Sequence, residues 1–165
     1  MEKIPAGISP AELLKIAVDV EHNGEQLYAA LEHRAMDERV RSIWHFLRAE
    51  EVRHREIFEE ILDNLTEYVV VDNSPQEWEL YMQAIAAEFI VTPQLIAQKI
   101  KEHFPTEIAA VEFGIALEKD SILAYGALRD RIVNAQQPVI DRIIREEKKH
   151  LVKLCQLKSY FNKER

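Results

Sequence analysis

Two pairs of short motifs recur at nearly the same offset along the chain. Glu21 is followed seven residues later by Tyr28, and Glu118 is followed seven residues later by Tyr125. Glu50-Glu51-Val52-Arg53-His54 is echoed by Glu146-Glu147-Lys148-Lys149-His150. Segments 20–31 and 117–128 align without a gap, sharing Glu21 with Glu118, Tyr28 with Tyr125, Ala30 with Ala127 and Leu31 with Leu128. Duplication of a helical hairpin is the simplest account of such a pattern.

The motif residues fall where helices put core residues. Leu14, Ala17, Val18, Glu21, Tyr28 and Leu31 share one stripe, and Val40, Ile43, Trp44, Leu47, Glu51, His54, Phe58 and Ile61 share another. Val111, Gly114, Ile115, Glu118, Ile122, Tyr125 and Leu128 repeat the first pattern. Ile140, Ile143, Ile144, Glu147, His150, Leu151, Leu154 and Leu157 repeat the second. Carboxylates and imidazoles inside such stripes are costly to bury unless their charge is compensated. Gly24, a poor mid-helix residue, is expected to leave space beside Glu21. Glu50, Arg53, Arg55, Glu59 and Glu60 fall mostly off the stripe and are expected in water.

Helix starts are legible. Ser9-Pro10-Ala11-Glu12 has the form of a capping box with proline in the first turn, and Asp37 and Thr106 are the caps expected for the second and third long helices. Between the hairpins, 68–71 reads as extended. Ser74-Pro75-Gln76-Glu77 opens a helix through Trp78, Tyr81, Ile85 and Phe89. Thr92-Pro93 opens another through Leu95, Ile96 and Ile100 that ends before Pro105. Gln136-Gln137-Pro138 breaks the second hairpin. The expectation is an all-α chain with one domain over 1–165: helix pair 9–64, helical crossover 65–105, helix pair 106–162. The long crossover lets the third bundle helix run parallel to the second. A composition of 47% hydrophobic and 30% charged residues with only 4 Gly favours such helices over many-turned β structure.

Residues three apart share a helix face, so Glu51 with His54, and Glu147 with His150, can each approach one metal position. Glu21 and Glu118 add one inward carboxylate per hairpin. Four carboxylates neutralise two divalent cations and can bridge them. Oxygen and nitrogen donors without thiolate suit iron or manganese, and zinc also fits. Tyr28 and Tyr125 are either core residues with a satisfied hydroxyl or donors that orient a ligand carboxylate or supply a proton or electron. Glu25 is expected on the surface, with a supplementary carboxylate as the alternative. His22, His33, His45 and His103 are read as surface or boundary residues, and Trp44, Trp78 and Phe58 as core.

A net charge of −8 makes nucleic acid a poor partner, because sequence-independent binding to phosphate relies on clustered Lys and Arg. No apolar run approaches the roughly 20 residues of a membrane span, and no secretory signal is evident. A cytoplasmic protein without a membrane partner is expected. The single cysteine, Cys155, excludes an intrachain disulfide framework and is expected as a small buried residue.

At its six polar core residues the chain resembles the ferritin-like di-iron carboxylate proteins, most closely the rubrerythrin-like branch. The resemblance covers roughly 9–64 and 106–162 and implies a ferritin-like four-helix bundle. It also implies two iron ions, one served by Glu21, Glu51 and His54 and the other by Glu118, Glu147 and His150, with Glu51 and Glu147 bridging. Its departures are informative. The sequence has no Cys-x-x-Cys of a rubredoxin-like domain, so an external electron donor is expected. Rubrerythrins with peroxidase activity resemble one another in a further carboxylate one turn after the third-helix ligand, where this chain has Ser121. His150 distinguishes it from animal-type ferritins, and Val52 from bacterioferritins, which carry Met there.

The resemblance implies a non-haem di-iron oxidoreductase acting on hydrogen peroxide or dioxygen. The rivals are an iron-handling ferroxidase and a non-catalytic helical bundle stabilised by metal. A homodimer is expected, because the crossover carries more apolar side chains (Tyr81, Ile85, Phe89, Leu95, Ile96) than one bundle face needs.

Overall fold

The computed structural model describes residues 9–65, 75–88, 92–132 and 135–163, so the readings at 68–71, Ser74 and Phe89 lie outside the described residues. Among those described, the chain forms helices α1 (Pro10–Arg34), α2 (Glu38–Asp63), α3 (Pro75–Glu88), α4 (Pro93–Glu102), α5 (Glu107–Arg129) and α6 (Gln137–Lys163), and no strand.

Local chemistry sets the helix starts. The Ser9 hydroxyl accepts from the Glu12 N–H at 3.2 Å while the Glu12 carboxylate accepts from the Ser9 N–H at 2.7 Å, closing the capping box. Asp37 accepts from the N–H groups of Arg39 and Val40, Thr92 from Leu95, and Thr106 from Ala109. Caps of this kind contribute about 1 kcal/mol each. Where α4 ends, His103 takes φ 66° and ψ 153°, a backbone conformation that side chains disfavour.

α1 packs chiefly on α2, and α5 on α6, giving two hairpins. Tyr28 of α1 meets Glu118 of α5 while Glu21 meets Tyr125, so these helices run in opposite directions. Glu50 faces His150 and His54 faces Glu146, so α2 and α6 are also antiparallel. α5 therefore runs parallel to α2, as the long crossover predicts.

Two apolar clusters fill the bundle. One joins Leu13, Leu14, Phe58, Ile61, Tyr125, Leu128, Ile140 and Ile143, and the other joins Leu27, Tyr28, Trp44, Leu47, Val111, Leu117, Leu154 and Leu157. Met82 and Ile85 of α3 enter the first cluster and Ile96 of α4 enters the second, so Ile85 and Ile96 are buried within the chain itself. Tyr81 and Leu80 stay exposed, at 45% and 60%. Trp44 and Phe58 are core, whereas Trp78 is partly buried beneath the guanidinium of Arg131, 4.0 Å from its ring centre.

The expectation for Cys155 is overturned: it is exposed. Leu154 and Leu157 take the inward positions. One residue of helix rotation, about 100°, carries Cys155 to the outer surface.

Candidate metal centre

The six polar motif residues converge between the two apolar clusters. Glu21, Glu51, His54, Glu118, Glu147 and His150 come from all four bundle helices, and none is more than 4% exposed. Ligand atoms of Glu21, Glu51, His54 and Glu147 lie within 4.8 Å of one another, as do those of Glu51, Glu118, Glu147 and His150. Glu51 and Glu147 belong to both groups, so two cation positions would share them.

Both imidazoles turn Nδ1 into the cluster. His54 Nδ1 stands 2.6 Å from Glu147 Oε1 and 3.7 Å from Glu21 Oε1. His150 Nδ1 stands 3.1 Å from Glu147 Oε2 and 3.7 Å from Glu118 Oε2. The rings stack with centroids 5.7 Å apart and planes 23° from parallel.

The donor set fits metal on an observation independent of family. Buried polar atoms are normally hydrogen-bonded. Here Glu21 Oε2, His54 Nδ1, Glu118 Oε2 and Glu147 Oε1 are buried without an aligned hydrogen-bond partner, although His54 Nδ1 and Glu147 Oε1 are in close contact. Oxygen and nitrogen atoms left unpaired around a common interior are what cations would satisfy.

The electrostatics point the same way. Burial, reinforced by the Glu147 carboxylate, raises Glu21 to about 7 and Glu118 to about 8. Burial and the charges of Glu21 and Glu147 push Glu51 well above the ordinary carboxylate range. Burial would raise Glu147 as well, but the imidazoles of His150 and His54 outweigh it and hold this carboxyl low. Burial disfavours the charged imidazoles, yet contacts with Glu118 and Glu147 lift His150 to about 10, and Glu147, Glu21 and Glu146 lift His54. Without cations, protons must do part of the neutralising.

The tyrosines hydrogen-bond across the bundle. Tyr28 donates to Glu118 Oε1 at 2.5 Å and Tyr125 donates to Glu21 Oε1 at 2.6 Å. Each tyrosine serves the glutamate of the other repeat. Burial and the neighbouring carboxylates, Glu118 for Tyr28 and Glu21 for Tyr125, raise both phenols well above their usual range, so both remain donors.

Sequence reasoning missed Glu50 and Glu146. Both are half-buried, and Glu146 Oε2 lies 2.9 Å from His54 Nε2, with Glu50 Oε2 3.8 Å from His150 Nε2. The signal was present: the motif repeats as Glu-Glu-x-x-His, and its first carboxylate is duplicated along with its second. The space that Gly24 leaves is taken by Glu51. A Cβ there would stand 3.2 Å from both Glu51 Cγ and Cδ.

Other candidates stay outside. Glu25 faces Arg55 at 3.4 Å and His22 at 3.8 Å rather than the cluster, and His22, His33, His45 and His103 are exposed. Ser121 is buried, but its hydroxyl donates to the Leu117 carbonyl of its own helix at 3.0 Å. A surface recess of about 370 Å³, lined by Phe46, Glu50, Glu146, Lys149, His150 and Lys153 among others, reaches from solvent to the His150 edge of the cluster.

Fold and cluster together define a ferritin-like bundle with a buried glutamate–histidine set able to bind metal. The chain belongs to the rubrerythrin family, whose profile matches residues 12–158. Among solved structures it is similar to one described as a ferritin-like diiron-carboxylate protein from Thermotoga maritima, with a TM-score of 0.68 and 23% identity over 94% of this chain and 98% of that one. At that identity the likeness speaks for the fold. No curated protein matches the chain. Among the described residues, no helix is long and apolar enough to cross a membrane.

Proposed function

We propose that the protein is a non-haem di-iron oxidoreductase whose substrate is dioxygen or hydrogen peroxide, re-reduced by an external electron donor. Glu21, Glu51, His54 and Glu147 would hold one ion, and Glu51, Glu118, Glu147 and His150 the other. The reading is carried by the four buried ligand atoms that have no aligned hydrogen-bond partner within the cluster. Paired ferrous ions would supply the two electrons that reduction of an O–O bond requires.

The chain's own side chains would prepare that chemistry. Tyr28 and Tyr125 hold one oxygen of Glu118 and of Glu21, leaving the other oxygen free as a ligand. The apolar clusters on either side exclude bulk water, which strengthens the electrostatic hold on the ions. The recess beside Phe46 offers a small oxidant a path to His150.

Loading the protein with ferrous iron without oxygen, then mixing it with oxidant in a stopped-flow instrument, tests the reading. Oxidation should far outpace that of free ferrous iron, and an equal rate would remove the proposal. Ser121 favours a second reading, ferroxidase-type iron handling, because it places no carboxylate toward the cluster where peroxidase-type rubrerythrins resemble one another in having one. A small oligomer such as the dimer expected from the crossover supports the enzyme. A 24-subunit shell by light scattering supports iron handling.

A further inference from the structure

The geometry points to Glu146 and Glu50 as positioning residues for the two histidines, with Arg53 as the strut that holds them. This rests on the reading of His54 and His150 as metal ligands. An imidazole binds metal through one nitrogen only when its other nitrogen carries the proton, and the hydrogen bond made by that second nitrogen selects the tautomer and ring angle. His54 presents Nδ1 to the cluster and places Nε2 2.9 Å from Glu146 Oε2, so Glu146 accepts the Nε2 proton. Glu146 belongs to α6 and His54 to α2, so the clamp crosses from one hairpin to the other. By the internal repeat, Glu50 faces His150 Nε2, but at 3.8 Å it is outside hydrogen-bond reach and holds that ring through charge alone.

Arg53 ties the two carboxylates together. Its Nη2 donates to Glu50 Oε2 at 2.8 Å and to Glu146 Oε2 at 2.9 Å, and its Nε donates to Glu50 Oε1 at 3.3 Å. Glu50, His54 and Glu146 by themselves have the spacing of a cation site. The Arg53 guanidinium already places a fixed positive charge against both carboxylates, which favours the clamp over a third ion. The second repeat has Lys149 at the place of Arg53, so the strut exists once and the two histidines are held unequally.

Cobalt titration and nitrogen-resolved NMR test the inference. Wild-type protein should take up two cobalt ions per chain. Glu146→Ala should weaken one of them by about 10- to 100-fold. Glu146→Gln, whose amide oxygen can still accept from Nε2–H, should recover most of that loss, and Glu50→Ala should cost less than Glu146→Ala. If Glu146→Ala does not fold, Glu146→Leu carries the same expectation without an acceptor. In the metal-free wild type, the His54 Nε2–H proton should exchange slowly and be visible, remaining in Glu146→Gln and lost in Glu146→Ala. Unchanged affinity for both ions, or persistence of that proton without an acceptor at position 146, would overturn the clamp. Failure of the wild type to bind cobalt would instead remove the metal reading, and the proton signal would still decide the clamp.

Discussion

The hydroxyl of Tyr28 donates to Glu118, ninety residues further along the chain, and not to any ligand of its own hairpin. Tyr125 does the same for Glu21, so each hairpin finishes the carboxylate shell of the other. The bundle halves are thus joined through the cluster as well as through the apolar clusters beside it.

This crossing fixes which ion each tyrosine affects. Tyr28→Phe should weaken cobalt binding at the Glu118 and His150 position, and Tyr125→Phe at the Glu21 and His54 position. Each loses a charge-assisted bond whose removal from a buried carboxylate costs about 1–3 kcal/mol. Cobalt spectra of the two variants should therefore lose different components, and identical spectra would contradict the crossed pairing.

Gly24→Ala should separate stability from metal binding. Alanine favours a helix interior over glycine by about 0.5–1 kcal/mol, but its Cβ would press on Glu51 at 3.2 Å. Metal-free protein can shift that side chain, whereas Glu51 would be fixed if two ions shared it. The melting temperature of the metal-free variant should hold or rise while the increment on adding cobalt shrinks. Gly126→Ala is the control: nothing lies within 4 Å of its Cβ position, so it should stabilise both forms alike.

Stability of the metal-free protein should fall with rising pH. Glu21 and Glu118 keep protons in the folded state up to about 7 and about 8, whereas an ordinary glutamate releases them near 4.5. Their contribution is fully present below about 4.5 and is lost as pH rises through those two values. His150, raised from 6.5 to about 10, adds a loss of the same sign at higher pH. Glu147 acts oppositely, but only below the ordinary carboxylate range. Calorimetry between pH 5.5 and 8.5 should show a drop of about 5 °C or more. Divalent cations should abolish most of it by replacing the protons, and a flat profile without metal would contradict the electrostatic account.

At the end of α4, His103→Gly should be stabilising. A side chain at φ 66° and ψ 153° carries roughly 1–3 kcal/mol of backbone strain that glycine escapes. A side-chain contact to the Lys101 carbonyl is given up, and the melting temperature should still rise by a few degrees.

The helical period made the inward faces legible, and with them Glu21, Glu51, His54, Glu118, Glu147 and His150. The capping residues Ser9, Asp37, Thr92 and Thr106 marked where helices begin, because cap chemistry is local. Periodicity tells which way a residue points and not what stands opposite, so the crossed tyrosines and the neighbour of Gly24 could not be read. Glu50 and Glu146 were lost for a related reason. They sit at the border of the inward stripe, where a contact from the facing helix decides between water and burial. Cys155 shows the same limit, since one position of rotation separates it from buried Leu154.

The repeat has a consequence for how tightly such a centre can be assembled. Residues 9–64 carry Glu21, Tyr28, Glu51 and His54, half of a set that only a second hairpin completes. Two free hairpins would have to find one another, and their shared cluster would dissolve on dilution. Joined through 65–105, they meet at a fixed effective concentration. Any affinity of this chain for metal ions would accordingly be a unimolecular property, independent of how dilute the protein becomes.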